Sequence, residues 1–506
     1  MKFIFFGCLL MMSPTLLALP LATESYLKKP KLVVVLVIDQ FRGELLNKMQ
    51  KELKPAGTAA QPGGFAFLMK NGAWFPHAEY EVSQAMTCVG HAMILSGSYP
   101  TLNGISLNQW FDSKAGKRIG CIEDARDGIS PRNLFATTVG DEMKTSRSKS
   151  KVISVAVKDR SAVLLGGHRA DHAIWLNSAG SAWTTSTYYG TPPTWIDAEN
   201  RRLSASPKKD LLSKNLAASI EGTQSTLRLA AQALTEEKLG RGPDTDLLAI
   251  SLSNHDILGH ALGPESPEME KLVLAEDVEL QRFFGVLQKQ MKGWSEVLFV
   301  MTADHGIPGT PTKLLPPENG DGQFDALASI RNVNRHLDEA FKVRSKEPWI
   351  TATFLLNFYL NEKFIQERGL SLAAVESEAK KALAKEPGVI EVFTRQEFLD
   401  GKISDNLPGR QFKNSYRPDR NGHLQIVLRP FMVAKSELTA NHMTGWAYDR
   451  YVPLFLMGNS ISPGIYAGGK IVDIAPTVSF LLGTVPPSMS EGRVLSETFK
   501  SVKPSK

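Results

Sequence analysis

The sequence predicts an α/β fold: a mostly parallel central sheet flanked by helices, with a small α+β insert. Three observations carry this. Four runs read as buried parallel strands: 32–38 is continuously apolar and rich in β-branched residues, and 151–157, 246–251 and 297–302 are mostly apolar. Helical patterns at 209–240 and 265–291 lie between such runs, as crossover connections require. From 335 to 435 the pattern changes to short mixed strands and helices, and the core pattern resumes afterwards. The predicted organisation is a signal segment at 1–22, a main domain built from 23–334 and 436–506, and an insert at 335–435.

The chain of 506 residues, 42% apolar and 22% charged, has the composition of a soluble globular protein with room for a large core. Its net charge of +6 suits anionic ligands. No basic run marks a nucleic-acid groove. The N-terminus, MKFIFFGCLLMMSPTLLALPLATES, has one lysine, an apolar run to Leu19 and then small residues, the layout of a secretory signal peptide that is short for a membrane span. The expected location is therefore periplasmic or secreted, with no membrane span after cleavage. Cleavage leaves Cys88 and Cys121, enough for one disulfide in an oxidising compartment. No cysteine pair has zinc-finger spacing, so any metal site must use Asp and His.

Taken in order, the first buried strand ends at Asp39, where open α/β sheets place ligands. Loop and short helix follow to residue 80. The stretch SQAMTCVGHAMILSGSYPTLNGISLNQW then reads as a polar loop feeding a buried helix of about three turns that Gly97 and Pro100 stop. Thr87 falls at its N-terminus, where free N–H groups and the helix dipole favour an anion, so its hydroxyl is either a cap or a nucleophile. Asn108 lies just beyond. The second buried strand ends in Lys158–Asp159–Arg160, two cations able to clamp a phosphoryl group. His168 and His172 are spaced i, i+4, but no helical pattern supports them, and a surface or packing role is expected.

The third buried strand leads into NHDILGH, where Asp256 and His260 share a face if that turn is helical, while His255 points elsewhere. The fourth ends in Ala303–Asp304–His305–Gly306, a tight turn carrying two ligand types. Residues 310–330 read as a Pro/Gly-rich loop. His442 sits in a polar loop before a strand at 452–457, and the chain closes with a helix for which Asp473 is the expected cap.

Thr87, three aspartates and three histidines thus fall at strand ends or in flanking loops. Their convergence at the carboxyl edge of a parallel sheet is the expected layout of a catalytic centre. The blocks VVVLVIDQFRG, MTCVGHAMILSGSYPTLNGISLNQW, VKDR, SNHDILGHALGPES, VMTADHG and NHMTGWAYDRYVPLFLMG resemble, in order, the alkaline phosphatase superfamily. The specific resemblance is to the branch holding nucleotide pyrophosphatases/phosphodiesterases and the phosphate-irrepressible, PafA-type alkaline phosphatases. That resemblance implies two Zn²⁺ per chain. It gives Asp39, Asp304 and His305 to one zinc, which also binds the nucleophile Thr87, and Asp256, His260 and His442 to the other. It implies that Asn108, Lys158 and Arg160 contact the phosphoryl group, and that the main domain is the catalytic one.

The expected activity is hydrolysis of small phosphate monoesters through a phosphothreonine, releasing inorganic phosphate. The alternative is a phosphodiesterase or nucleotide pyrophosphatase of the same superfamily, which lacks the Lys-x-Arg clamp. A sulfatase would need C-x-P/A-x-R, whereas Val89, Gly90, His91 and Ala92 follow Cys88. A buried apolar role for Cys88 is favoured over a thiol nucleophile.

Overall fold

The computed structural model describes residues 29–205, 216–309, 322–343 and 346–500. The predicted signal segment at 1–22 lies outside them. Among the described residues, no helix is long and apolar enough to cross a membrane.

Nine strands form the central sheet: β1 (Leu32–Ile38), β2 (Ala73–Glu79), β3 (Val152–Ala156), β4 (His172–Leu176), β5 (Trp183–Thr184), β6 (Asp246–Leu252), β7 (Val297–Thr302), β8 (Tyr451–Met457) and β9 (Gly464–Ile465). Their order is β9-β2-β8-β7-β1-β6-β3-β4-β5. The centre is parallel: β1 pairs with β6 on one side and β7 on the other, and β3 and β4 continue beyond β6. Strand β8 runs antiparallel to both β7 and β2, and β5 antiparallel to β4, so the sheet is mixed but mostly parallel. Each of the four long apolar runs is a central strand, and every residue of β1, β6 and β7 is buried. That two-sided burial explains why these strands read as mostly apolar runs without alternation.

Strand β2 is the principal departure from expectation, since 73–79 reads as loop. Its sequence, AWFPHAE, holds Pro76 and a partly polar outer half, and the register with β8 shifts opposite it. A proline interrupts the ladder signal, and the pairing comes from a strand more than 370 residues away. The loop expected over 310–330 also ends early, because a helix at Ala326–Phe341 occupies its last residues; residues 310–321 lie outside the described chain.

The helices that matter for the site are α1 (Thr87–Ser96), α2 (Asp159–Gly166), α3 (Asn254–Leu262) and α4 (Pro267–Gln290). Gly90 lets α1 approach the end of β7, because a Cβ there would lie 2.1 Å from the Asp304 carbonyl oxygen.

Within 335–435, a four-stranded antiparallel sheet runs in the order Ile350–Phe354, Asn357–Leu360, Leu424–Leu428, Val389–Thr394. It has its own apolar core around Val333, Phe358, Phe364, Val375 and Ile426. The apolar run ATFLLNFYL is a hairpin, turning at Leu355, which takes a left-handed φ of 54°. This layer supports the loop before α1: Asn357 Nδ2 donates to Gln84 Oε1 (2.9 Å), and the Ser83 N–H donates to Ser415 Oγ (2.9 Å).

Candidate active site

Four elements end at one place. Asp39 follows β1, Lys158 follows β3, α3 starts two residues after β6, and Asp304 follows β7. Because β6 and β7 flank β1, their carboxyl ends open together into the crevice where α/β sheets collect ligands.

Thr87 is the first residue of α1. The cap position belongs to Met86, whose backbone is extended (φ −156°, ψ 164°) and which offers no capping side chain. The Thr87 hydroxyl is therefore not the cap of α1. It lies 3.4 Å from Lys158 Nζ. The ten residues of α1 are all buried, and Gly97 ends the helix in the left-handed region at φ 65°.

Two groups of side chains each bring their ligand atoms within 4.8 Å of one another: Asp39, Asp304 and His305, and Asp256, His260 and His442. On α3, Asp256 and His260 are one turn apart, with His260 Nε2 3.2 Å from Asp256 Oδ1. His442 Nε2 lies 3.7 Å from the same oxygen, and the rings of His305 and His442 stack at 3.7 Å. In all three histidines Nδ1 faces a main-chain oxygen at 2.8–2.9 Å: Gly306 for His305, Ala440 for His260, Ala85 for His442. This arrangement leaves each Nε2 for a ligand.

The donor set fits divalent metal ions of the Zn²⁺ type. Asp39 Oδ1, Asp304 Oδ2 and His305 Nε2 are buried polar atoms with no hydrogen-bond partner, and they belong to one group. His305 Nε2 lies 3.4 Å from Asp39 Oδ1 and 3.5 Å from Asp304 Oδ2. Buried oxygen and nitrogen atoms left unsatisfied together are costly unless a cation is bound among them.

Charge dominates the site. Burial would raise the Asp256 carboxyl, but Lys158 and His260 more than reverse this and hold it well below the usual range. Burial acts the same way on Asp304, and His305 and His91 pull it down. Burial would lower His305, yet Asp304 and Asp39 push it up to about 9. Burial together with the neighbouring His305 and His260 holds His442 well below its ordinary value, so its imidazole is neutral.

Lys158 departs from a simple phosphate clamp. Its ammonium lies between the two groups, 2.6 Å from Asp39 Oδ2 and 2.5 Å from Asp256 Oδ2. Burial would lower it, but Asp256 and Asp39 raise it, so it is a cation and not a base. Arg160 lies in the first turn of α2, about a third exposed, with a buried Nε that lacks a partner. Asn108 Oδ1 accepts from the Cys88 N–H (2.8 Å).

Other expectations divide. His168 and His172 lie outside the site: His168 Nε2 faces Ala136 O, and His172 sits edge-on to Trp195. His255 pairs with buried Glu276. Cys88 is bonded to Cys121. Asp473 holds the cap position of the closing helix without a side-chain capping bond, its carboxylate accepting from the Lys470 and Arg493 N–H groups instead.

Two residues of the site were not anticipated. Gln40 donates its main-chain N–H to Asp304 Oδ1 (3.0 Å) and Nε2 to Asp256 Oδ1 (2.6 Å). His91 reaches Thr87 O with Nδ1 (2.9 Å) and Ser251 Oγ with Nε2 (2.9 Å), with Nδ1 3.1 Å from Asp304 Oδ2. His91 had a signal, since it is four residues from Thr87 on one helix face. Gln40 had none, because its partners are 216 and 264 residues away.

A crevice at the carboxyl edge of a mixed sheet, with a hydroxyl at a helix start and two acid–histidine groups able to hold metal ions, suits a metal-dependent hydrolase. The chain belongs to the type I phosphodiesterase / nucleotide pyrophosphatase family, whose model matches residues 33–446, and it falls on the PafA-like branch. It is 30% identical to alkaline phosphatase PhoV of Synechococcus elongatus, over 93% of each chain. It is 28% identical to alkaline phosphatase PafA of Elizabethkingia meningoseptica, over 93% of this chain and 94% of that protein. The crystal structure of wild-type PafA superposes with a TM-score of 0.83 at 27% identity, covering 93% of this chain and 99% of the other.

Proposed function

We propose that this enzyme is an alkaline phosphatase that hydrolyses small phosphate monoesters through a phosphothreonine at Thr87. The observation that carries the proposal is the Thr87 hydroxyl at the start of α1, 3.4 Å from the Lys158 ammonium, which itself touches Asp39 of one acid–histidine group and Asp256 of the other. The curated relatives named as alkaline phosphatases support the reaction class.

Asp39, Asp304 and His305 would hold one zinc ion, and Asp256, His260 and His442 the other. Bound there, the ions lower the proton affinity of the attacking hydroxyl and stabilise charge on the leaving oxygen. Thr87 Oγ attacks phosphorus in line; its bond to phosphorus forms as the ester P–O bond breaks, and the alcohol departs with a proton. Water then cleaves the phosphothreonine, returning the Thr87 hydroxyl and inorganic phosphate. With Asn108 Oδ1 held by the Cys88 N–H, its Nδ2 is the donor left for a phosphoryl oxygen. Lys158 and Arg160 supply fixed positive charge, which is worth most for the doubly charged monoester.

Acid quench during turnover is expected to trap phosphate on Thr87. Thr87→Ser keeps the hydroxyl and substantial activity, and Thr87→Ala loses nearly all of it. Label on no residue, or on Ser83, overturns the assignment. The family description names phosphodiesterases, which gives the second reading. A zinc-loaded enzyme faster on an aryl diester than on the matched monoester would establish that reading instead. The chain is further proposed to be exported, with a mature N-terminus near residues 19–24, which N-terminal sequencing of the secreted protein checks.

A further inference from the structure

We propose that the Cys88–Cys121 disulfide is a positioning device for the reaction: it locks the Asn108 amide against the first turn of α1, so that Asn108 and Thr87 address one phosphoryl group. This rests on the role given to Asn108 above. Cys88 directly follows Thr87, and its partner is 33 residues on. The two cysteines hold Asn108 at two points. The Cys88 N–H donates to Asn108 Oδ1 (2.8 Å), and the Cys121 N–H donates to Asn108 O (2.9 Å).

The intervening chain explains why a covalent tie is needed. Asn108 opens a two-stranded ribbon, Gln109–Asp112 paired with Lys117–Gly120, and Cys121 closes it, with Gln109 opposite Gly120. A two-stranded ribbon is marginally stable alone. Its far side is anchored elsewhere: Arg118 Nη2 donates to Thr353 O (2.8 Å), and Phe111 meets the Tyr359 ring edge-on at 5.8 Å. Motion of the 350–360 hairpin would therefore carry Asn108 with it, away from Thr87, were the ribbon's base not bonded to α1. Both cysteines are buried, at 0% and 3% exposure, which leaves the pair no role as accessible thiols. Small displacements of a positioning group are costly in rate, so the tie acts on catalysis and not only on stability.

The test is a cycle on zinc-loaded enzyme, assayed well below the unfolding temperature of every variant: wild type, Cys88→Ala/Cys121→Ala, Asn108→Ala, and all three changes together. Loss of the disulfide is expected to lower monoester kcat/KM by roughly ten- to a hundredfold and to weaken inhibition by inorganic phosphate in parallel. In the Asn108→Ala background the same change is expected to cost less than about threefold, because the group being positioned is gone. Should the paired variant not fold, Cys121→Ser alone carries the same comparison. Equal losses in both backgrounds, or a lower unfolding temperature with unchanged kcat/KM, overturn the proposal. Full activity in Asn108→Ala also overturns it, and that outcome separately shows that the role of Asn108 was misassigned.

Discussion

Gln40 Nε2 donates a 2.6 Å hydrogen bond to Asp256 Oδ1, while the Gln40 main-chain N–H holds Asp304 Oδ1 at 3.0 Å. One residue thus orients a carboxylate in each acid–histidine group. Its backbone pays for this with a left-handed φ of 69°, unusual outside glycine.

Gln40→Leu keeps the approximate volume and removes the side-chain donor. Supporting hydrogen bonds of this kind typically affect metal affinity or activity by about 10–100-fold. The expected result is a zinc affinity lowered by that order at the Asp256 group, and with it a lower unfolding temperature of the zinc-loaded protein. Zinc content after equilibration against buffered metal measures it, and unchanged content at limiting zinc would remove Gln40 from the site.

The raised His305 predicts how metal uptake depends on pH. Burial lowers its affinity for a proton, but Asp304 and Asp39 outweigh burial and bring it to about 9. In metal-free protein at pH 7–8 the ring is therefore protonated, and a metal must displace that proton to reach Nε2. Apparent zinc affinity should rise with pH and level off near 9. Calorimetry in buffers of different ionisation enthalpy should show a proton released on binding at pH 7.5. Uptake without proton release would contradict this arrangement.

The proposed phosphate contacts Lys158 and Arg160 should separate monoester from diester chemistry. Charge-assisted hydrogen bonds are worth about 1.5–3 kcal/mol, or roughly ten- to a hundredfold in rate when felt in the transition state. Arg160→Ala should cut monoester kcat/KM by that order and diester kcat/KM much less. Lys158→Ala should do the same and should also alter zinc affinity, because its ammonium touches Asp39 and Asp256. Equal losses on both esters for Arg160→Ala would exclude a phosphate clamp.

The sequence by itself determines the parallel centre of the sheet and the acids and histidines at the ends of its strands. Burial on both faces writes β1 as an unbroken apolar run and β6 and β7 as mostly apolar ones, and Asp39 and Asp304 are read at the ends of β1 and β7. The spacing of Asp256 and His260 is likewise a local property of one helical turn. What only the tertiary structure decides is everything that depends on partners distant along the chain. Strand β2 exists because β8 pairs with it. The Thr87 hydroxyl caps nothing because Met86, not Thr87, holds the cap. Lys158 reaches two carboxylates, one just after β1 and one on α3, Gln40 bridges two groups, and Cys88 finds Cys121 across a ribbon. Periodicity records which face of an element is buried, but not which side chain from another element meets it there, and the chemistry of this site lies in those meetings.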